Sequence, residues 1–345
     1  MPFETEIVEA AASLGRMFAD KSARFECKDE FVSENYDALK ARKVFSAQVP
    51  EYLGGEGASH REMCAFLRRL SHDCPSTALA VGELVLVSTG ANDWLESNGE
   101  ARKVEGGYRI NAVKPFGSGS PCGDIAITSC AYDCPEDGPS VLHFPVSLKA
   151  EGVEFLDDWE AMGMRATGSQ TIRFNDVFVP DEAVGLKRAR GPFHGAFSVI
   201  VTVAMPLIMS VYTGVAETAA AIAREKAQAR SGDPVTVIQV GEMENFLTTA
   251  QLALDSMIEL CDDLAFTPTE ALASQILARK TICANAVIAV TEKALEVCGG
   301  SGFMRKAGIE RLLRDAHASQ FHPLPEKRQQ MFTGRVALGL TPVAR

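Results

Sequence analysis

The sequence is short of several things, and each shortage narrows what the chain can be. It has nine cysteines, an odd number, with no CxxC pair among them. Cys130 and Cys134 stand four apart in a strand-to-loop stretch, without a histidine or second cysteine pair to complete a zinc site. Reduced thiols in a cytoplasmic protein are the expectation. Positive charge is also scarce: the formal net charge is -11. There is therefore no global field for nucleic acid or anionic lipid, although a local arginine cluster or helix N-terminus could still hold an anion. The opening "MPFETEIVEAAASLGRMFADK" lacks a basic leader followed by an apolar core and reads as an amphipathic helix. The longest apolar run, "FSVIVTVAMPLIMSVYTGVAE", is interrupted by Ser, Thr and Pro206. It is expected as a buried bundle helix, with a membrane span as the alternative. No internal repeat or low-complexity segment is visible.

Against these shortages stand 345 residues, 46% hydrophobic and 23% charged. That is enough chain for two or three packed units and a sizeable core. Residues 1–82 read as helical, because "SENYDALKARKVF" and "SHREMCAFLRRLSHDCPSTALAV" space apolar residues three and four apart. Ser59 with Glu62 predicts a capping box, and "VPEYLGGEGAS" predicts a turn between the helices.

The texture changes over 83–188. "ELVLVSTG", "GYRINAVKPFGSG", "DIAITSCAYD", "SVLHFPVSL", "GVEFLD" and "TIRFNDVFVP" are short, β-branched and bounded by Gly, Pro or Asp. They predict an antiparallel barrel or sandwich, with a tight hairpin at "EGGYRI". From 189 to 345 the helical period returns, over 193–230, 235–264 and 268–298. Thr267, Pro268 and Glu270 predict an N-cap, a proline at N1 and a glutamate at N3. Gly299-Gly300 predicts the stop. With a fourth helix after Gly308 these make a four-helix bundle, and the fold class is α+β.

The helix–sheet–helix order and five words in it resemble the acyl-CoA dehydrogenase family of flavoproteins. The words are "VPEYLGGEGAS", "GGYRINAVKPFGSG", "WEAMGMRATGSQTIRFNDVFVP", "EKALEVCGGSGF" and "IERLLRDA", and the likeness covers nearly the whole chain. The resemblance implies a flavin, FAD before FMN, held by backbone and hydroxyl groups. Matching positions are Ser88, Thr89 and Gly90, then Phe116, Gly117 and Ser118. Phe116 would stack on the ring and Ser118 would reach its polar edge; without the resemblance they read as a core Phe and a turn Ser. Gly299 and Gly300 would let backbone approach a dinucleotide, often from a neighbouring subunit, while also serving as a C-cap. Arg165 and Thr167, with Ser169, would face the flavin or the substrate neck, or else form a solvated loop.

The sequence departs from the family in three places. Between Ala80 and Gly82 the family carries further helix lining its acyl pocket; here the chain passes almost directly into "GELVLVSTG". The Arg-x-x-Phe-Gly word that grips the flavin pyrophosphate is replaced by "ARSGDPVTVIQVGEMEN". The catalytic glutamate is missing from both of its usual places: Pro323 fills one, and "AFSVIVTVAMP" fills the other. His322 stands eight residues after Arg314, where flavin monooxygenases of the same fold carry a similar histidine able to exchange a proton near neutral pH. Polar residues before a proline at a helix end are also common without any such role. Glu326 is the second candidate, or simply the first acid of the last helix. Arg314 and Asp315 are expected in helix-surface or interhelical pairs, and His60, His72, His143 and His194 as packed or exposed residues.

Three activities follow from the resemblance. The first is α,β-dehydrogenation of an acyl-CoA or similar small-molecule substrate, with hydride passing to FAD and then to an electron acceptor. The second is a monooxygenase fed reduced flavin by a reductase partner, and the third a non-catalytic binding subunit. The words "VPEYLGG" and "GMRATGSQTIRFNDVFVP" resemble dehydrogenase members most closely. A homodimer or homotetramer is the expected assembly.

Overall fold

Apolar residues three and four apart produce the helices that open the chain: α1 (Pro2–Lys28), α2 (Ser33–Ala41), α3 (His60–Ser71) and α4 (Pro75–Gly82). The computed structural model describes residues 2–82, 86–88 and 96–343. The capping box forms as expected: Ser59 Oγ accepts the Glu62 amide, and the Glu62 carboxylate accepts the Ser59 amide at 2.8 Å. The periodic stretch beyond it is two helices, not one. Pro75 has no amide to continue α3 but suits the first position of α4.

Among the described residues, eight strands follow in two four-stranded sheets, ordered β1-β4-β5-β8 and β2-β3-β7-β6. They are β1 (Leu86–Ser88), β2 (Glu100–Val104), β3 (Gly107–Gly117), β4 (Ile125–Cys134), β5 (Gly138–Ser147), β6 (Val153–Phe155), β7 (Gln170–Pro180) and β8 (Leu186–Ala189). Ile110, Phe174 and Val177 from one sheet and Cys130, Leu142 and Phe144 from the other fill a shared core, making a sandwich. The hairpin at "EGGYRI" joins β2 to β3, with Gly106 at φ +74° as a tight turn requires. The purely antiparallel expectation fails at one edge, where β1 runs parallel to β4. Strands β2 and β8 were not expected, because "EARKV" and "LKRA" are too charged to read as strands.

The bundle is built on α5 (Gly195–Gln228), α6 (Pro234–Cys261) and α7 (Glu270–Cys298). Helix α5 is long and apolar enough to cross a membrane, but 78% of its most apolar window is buried among the other helices. Helix α7 starts later than its sequence suggests. Thr269, not Thr267, caps it by accepting the Leu272 amide at 3.0 Å, and Pro268 lies in the approach. The fourth position of the bundle is shared by two short helices, α8 (Ile309–His317) and α9 (Glu326–Ala337). The break between them contains Phe321 and His322. Met164 and Ala166, from the chain before β7, join the same apolar core as α1, α3 and the bundle.

Candidate functional site

Where the sandwich meets the bundle there is a slot of about 380 Å³, walled by the end of β3, the 158–163 loop, the start of β7, α8 and the turn after it. Its aromatic edge is set by a backbone irregularity. The β3–β7 register slips between Lys114 and Gly117, and Phe116 takes φ +63°. A left-handed non-glycine residue costs about 1–3 kcal/mol and such residues cluster at ligand sites, where bulges re-aim side chains. Phe116 is thereby left 57% exposed beside the slot. Trp159 meets it edge-on, with ring centroids 6.1 Å apart. Gly117 allows β3 to close on β7, since a Cβ there would lie 2.9 Å from Ile172.

Three hydroxyls form the polar end. Thr167 Oγ1 stands 2.7 Å from Ser169 Oγ, which stands 2.8 Å from Ser118 Oγ. All three are buried, and Ser169 is the one that lines the slot. Ser118 and Thr167 therefore act at the slot through Ser169.

Helix α8 holds the opposite wall. Arg314 makes the expected i, i+4 pair with Glu310 at 2.7 Å, and also donates to the Met162 carbonyl at 2.7 Å. Asp315 is not a surface residue. It is fully buried and accepts the Met164 amide at 2.6 Å. Gly163 lets the loop sit this close, because a Cβ there would lie 2.3 Å from the Arg314 carbonyl oxygen.

His322 turns away from the slot. The preceding Phe321 lines it and is 59% exposed. The extended backbone at His322 (φ -63°, ψ 145°) then sends successive side chains to opposite sides. His322 Nε2 meets the Tyr212 hydroxyl of α5 at 2.8 Å. Burial, then the nearby Lys280 charge, pushes its pKa down to about 3, so the imidazole is neutral at ordinary pH. Lys280 donates to the carbonyls of Gln320 and Leu324, at 3.2 and 3.3 Å, and so fixes the chain on both sides of His322. Burial lowers the Lys280 pKa to about 8.

The remaining candidates lie elsewhere. Glu326 opens α9, with its carboxylate toward Lys327 and Gln330. Arg165 donates to the Ala161 carbonyl and lies 3.7 Å from Asp29, just past α1, outside the slot lining. Gly299 ends α7, and a Cβ at Gly299 or Gly300 would meet nothing within 4 Å, so the backbone there is open to approach. Ser88 ends β1 opposite Ile127; Thr89 and Gly90 lie outside the described residues. Of the five other histidines, His317 lines the slot from α8, and the four expected as packed or exposed all have partners: His60 with the Val203 carbonyl, His72 with Glu217, His143 with Arg188, and His194 as the cap of α5. Trp159, Phe321 and Tyr212 were not singled out in the sequence, although Trp159 opens one of the five resembling words and Phe321 adjoins His322.

A slot of this volume falls within the range of small-molecule and cofactor sites. Aromatic edges with a hydroxyl end suit a flat ring carrying polar atoms along one side, and so fit a flavin. Removing the Phe116 ring is expected to weaken flavin binding roughly three- to ten-fold, the scale of one aromatic contact. Fluorescence quenching of FMN by wild type and Phe116→Ala checks this.

Comparison with known proteins agrees with the geometry. The profile of the acyl-CoA dehydrogenase C-terminal domain matches residues 207–326. A dibenzothiophene monooxygenase of Mycolicibacterium goodii is 27% identical, over 91% of this chain and 89% of that protein. The putative acyl-CoA dehydrogenase YdbM of Bacillus subtilis is 26% identical, over 92% of each. The solved structure of KijD3 with FMN and a dTDP-linked amino-keto sugar superposes with a TM-score of 0.88 at 22% identity. That superposition covers 99% of this chain and 95% of the other.

Proposed function

We propose that this chain, which has an acyl-CoA dehydrogenase-like fold, is a flavin-dependent monooxygenase that uses reduced flavin to oxygenate a small aromatic or heterocyclic substrate, a reading supported by its likeness to the dibenzothiophene monooxygenase. The observation that carries this reading is the pairing of Tyr212 with His322 where a dehydrogenase would need a carboxylate base. Among the described residues, the carboxylates lining the slot are Asp158 and Glu160, both from the loop on the sandwich side. Asp158 is occupied by the Thr171 amide at 2.9 Å, and the bonds from Thr171 lower its pKa. It is a poor base for a thioester α-proton.

A bound flavin would supply the oxygen-activating chemistry. The chain's part is positional. Phe116 and Trp159 would orient the ring, Ser169 would meet its polar edge, and α8 closes the wall. Tyr212 and His322, bonded through Oη and Nε2, hold the turn behind the slot. With "ARSGDPV" in place of the pyrophosphate-gripping word, FMN suffices and FAD is not required. A reductase partner would deliver the reduced flavin. The exposed apolar residues Val235, Ile238 and Leu252 on α6 support self-association into a homodimer or homotetramer.

Dehydrogenation is the second reading, supported by the likeness to YdbM. Two measurements separate them. Indole or dibenzothiophene supplied with chemically reduced FMN and oxygen should give an oxygenated product in excess over protein. Adding an acyl-CoA panel anaerobically to flavin-loaded protein should leave the visible spectrum unchanged. Bleaching by any acyl-CoA, with no oxygenated product, reverses the assignment.

A further inference from the structure

The turn that carries Phe321 into the slot is poor in the amides that close a helix. The helical turn Ala318–Phe321 continues α8, and the chain beyond it reads His322-Pro323-Leu324-Pro325. The last carbonyls of a helix need donors from outside it, commonly amides of the residues that follow. Pro323 and Pro325 have none to give. A side chain from another helix serves instead. Lys280 of α7 is 1% exposed, and its ammonium donates to the Gln320 carbonyl at 3.2 Å and the Leu324 carbonyl at 3.3 Å. One acceptor lies before His322 and the other after it, so one group spans the turn.

An ammonium is a costly group to bury for this purpose. The titratable groups that face it are Cys283 on its own helix, Glu326 at the start of α9 and His322 in the turn. Burial pushes the Cys283 thiol up to about 12 and leaves His322 neutral. The Glu326 carboxylate is engaged by Lys327 and Gln330. Among the described residues, the direct partners of the charge are therefore the two carbonyls, one of them at a helix C-terminus, where the backbone favours a cation. We infer that Lys280 is a positioning residue for the slot: its charged amine caps the end of α8 from outside and holds Phe321 and Ala318 at the slot wall. Both of those residues line the slot.

The charge has a pH signature with two opposite signs. Burial first lowers the Lys280 pKa from its ordinary 10.5 to about 8. Between those values the unfolded chain holds a proton that the folded chain has released, so stability rises with pH, by at most about ten-fold in the folding constant per unit. The hold on the turn changes the other way, because a charge-assisted bond is about twice as strong as a neutral one.

Hydrogen exchange of the flavin-free protein reads the clamp directly. Amides of the 318–324 stretch should exchange at least about ten-fold faster in Lys280→Met than in wild type, with those of α6 unchanged. Equal exchange in the two proteins overturns the clamp. Should Lys280→Met not fold, Lys280→Gln, which keeps two donors and loses the charge, takes its place with the same criterion and a smaller acceleration. FMN affinity from about pH 6.5 to pH 9 tests the charge, and this part rests on the flavin reading above. Wild-type affinity should fall about three- to ten-fold through the Lys280 transition while stability rises. The variant should bind more weakly throughout, without that inflection. A lysine that merely fills space would shift stability and leave wild-type affinity flat, and that result overturns positioning. Failure to bind FMN at any pH, with faster exchange in the variant intact, removes the flavin reading and leaves the clamp standing.

Discussion

Replacing His322 with alanine should lower oxygenation turnover by up to about 100-fold, because the bond to Tyr212 that fixes the turn behind the slot is lost. FMN affinity should stay within about two-fold, because His322 faces Tyr212 and not the slot. Tyr212→Phe should produce a smaller loss in the same direction. It leaves the imidazole in place but removes the hydroxyl that holds it. The pH profile carries a second signature. With its pKa held near 3 by burial and then by Lys280, His322 should add no inflection to the rate between about pH 5 and pH 8. Lys280→Met removes one of the two causes and should move the imidazole pKa upward. Unchanged turnover in His322→Ala would withdraw the role outright.

The second large effect belongs to a residue with no chemistry. Gly163→Ala places a methyl group 2.3 Å from the Arg314 carbonyl oxygen and 2.8 Å from the Asp315 amide. Both neighbours are helix backbone and cannot rotate aside as a side chain would. Overpacking of this kind costs about 1–3 kcal/mol, and here relief can come only by lifting the loop off α8. Flavin affinity should therefore fall by about ten-fold or more, beyond the effect of losing Phe116. Gly185→Ala is the matched control, because a Cβ there meets nothing within 4 Å; it should change neither stability nor binding. Chemical denaturation with FMN titration checks all three proteins.

The contrast between fold and site shows what kinds of signal a sequence carries. The capping box at Ser59, the hairpin at Gly106 and the C-cap at Gly299 are local and were legible, because each depends on residues within one turn. Helix α7 was misplaced at its start because two threonines flank Pro268, and choosing between them depends on how the chain arrives from α6. The slot was legible only through the resemblance. Phe116 owes its exposure to a register slip against β7 that no alternation pattern announces. Tyr212 lay hidden inside an apolar run, since its partner is 110 residues away in sequence. Asp315 looked like ordinary helix-surface charge, because its burial depends on α1 and on the Gly163 approach. In each case the missing information was long-range contact, which composition and periodicity do not encode.

The most direct test of the account is a crystal structure of the protein grown with FMN. The account predicts the isoalloxazine ring between Phe116, Trp159 and Phe321, with a polar edge toward Ser169 and the Tyr212–His322 pair in place behind it. A ring bound anywhere else, or a slot filled by the protein's own side chains at saturating FMN, would contradict it.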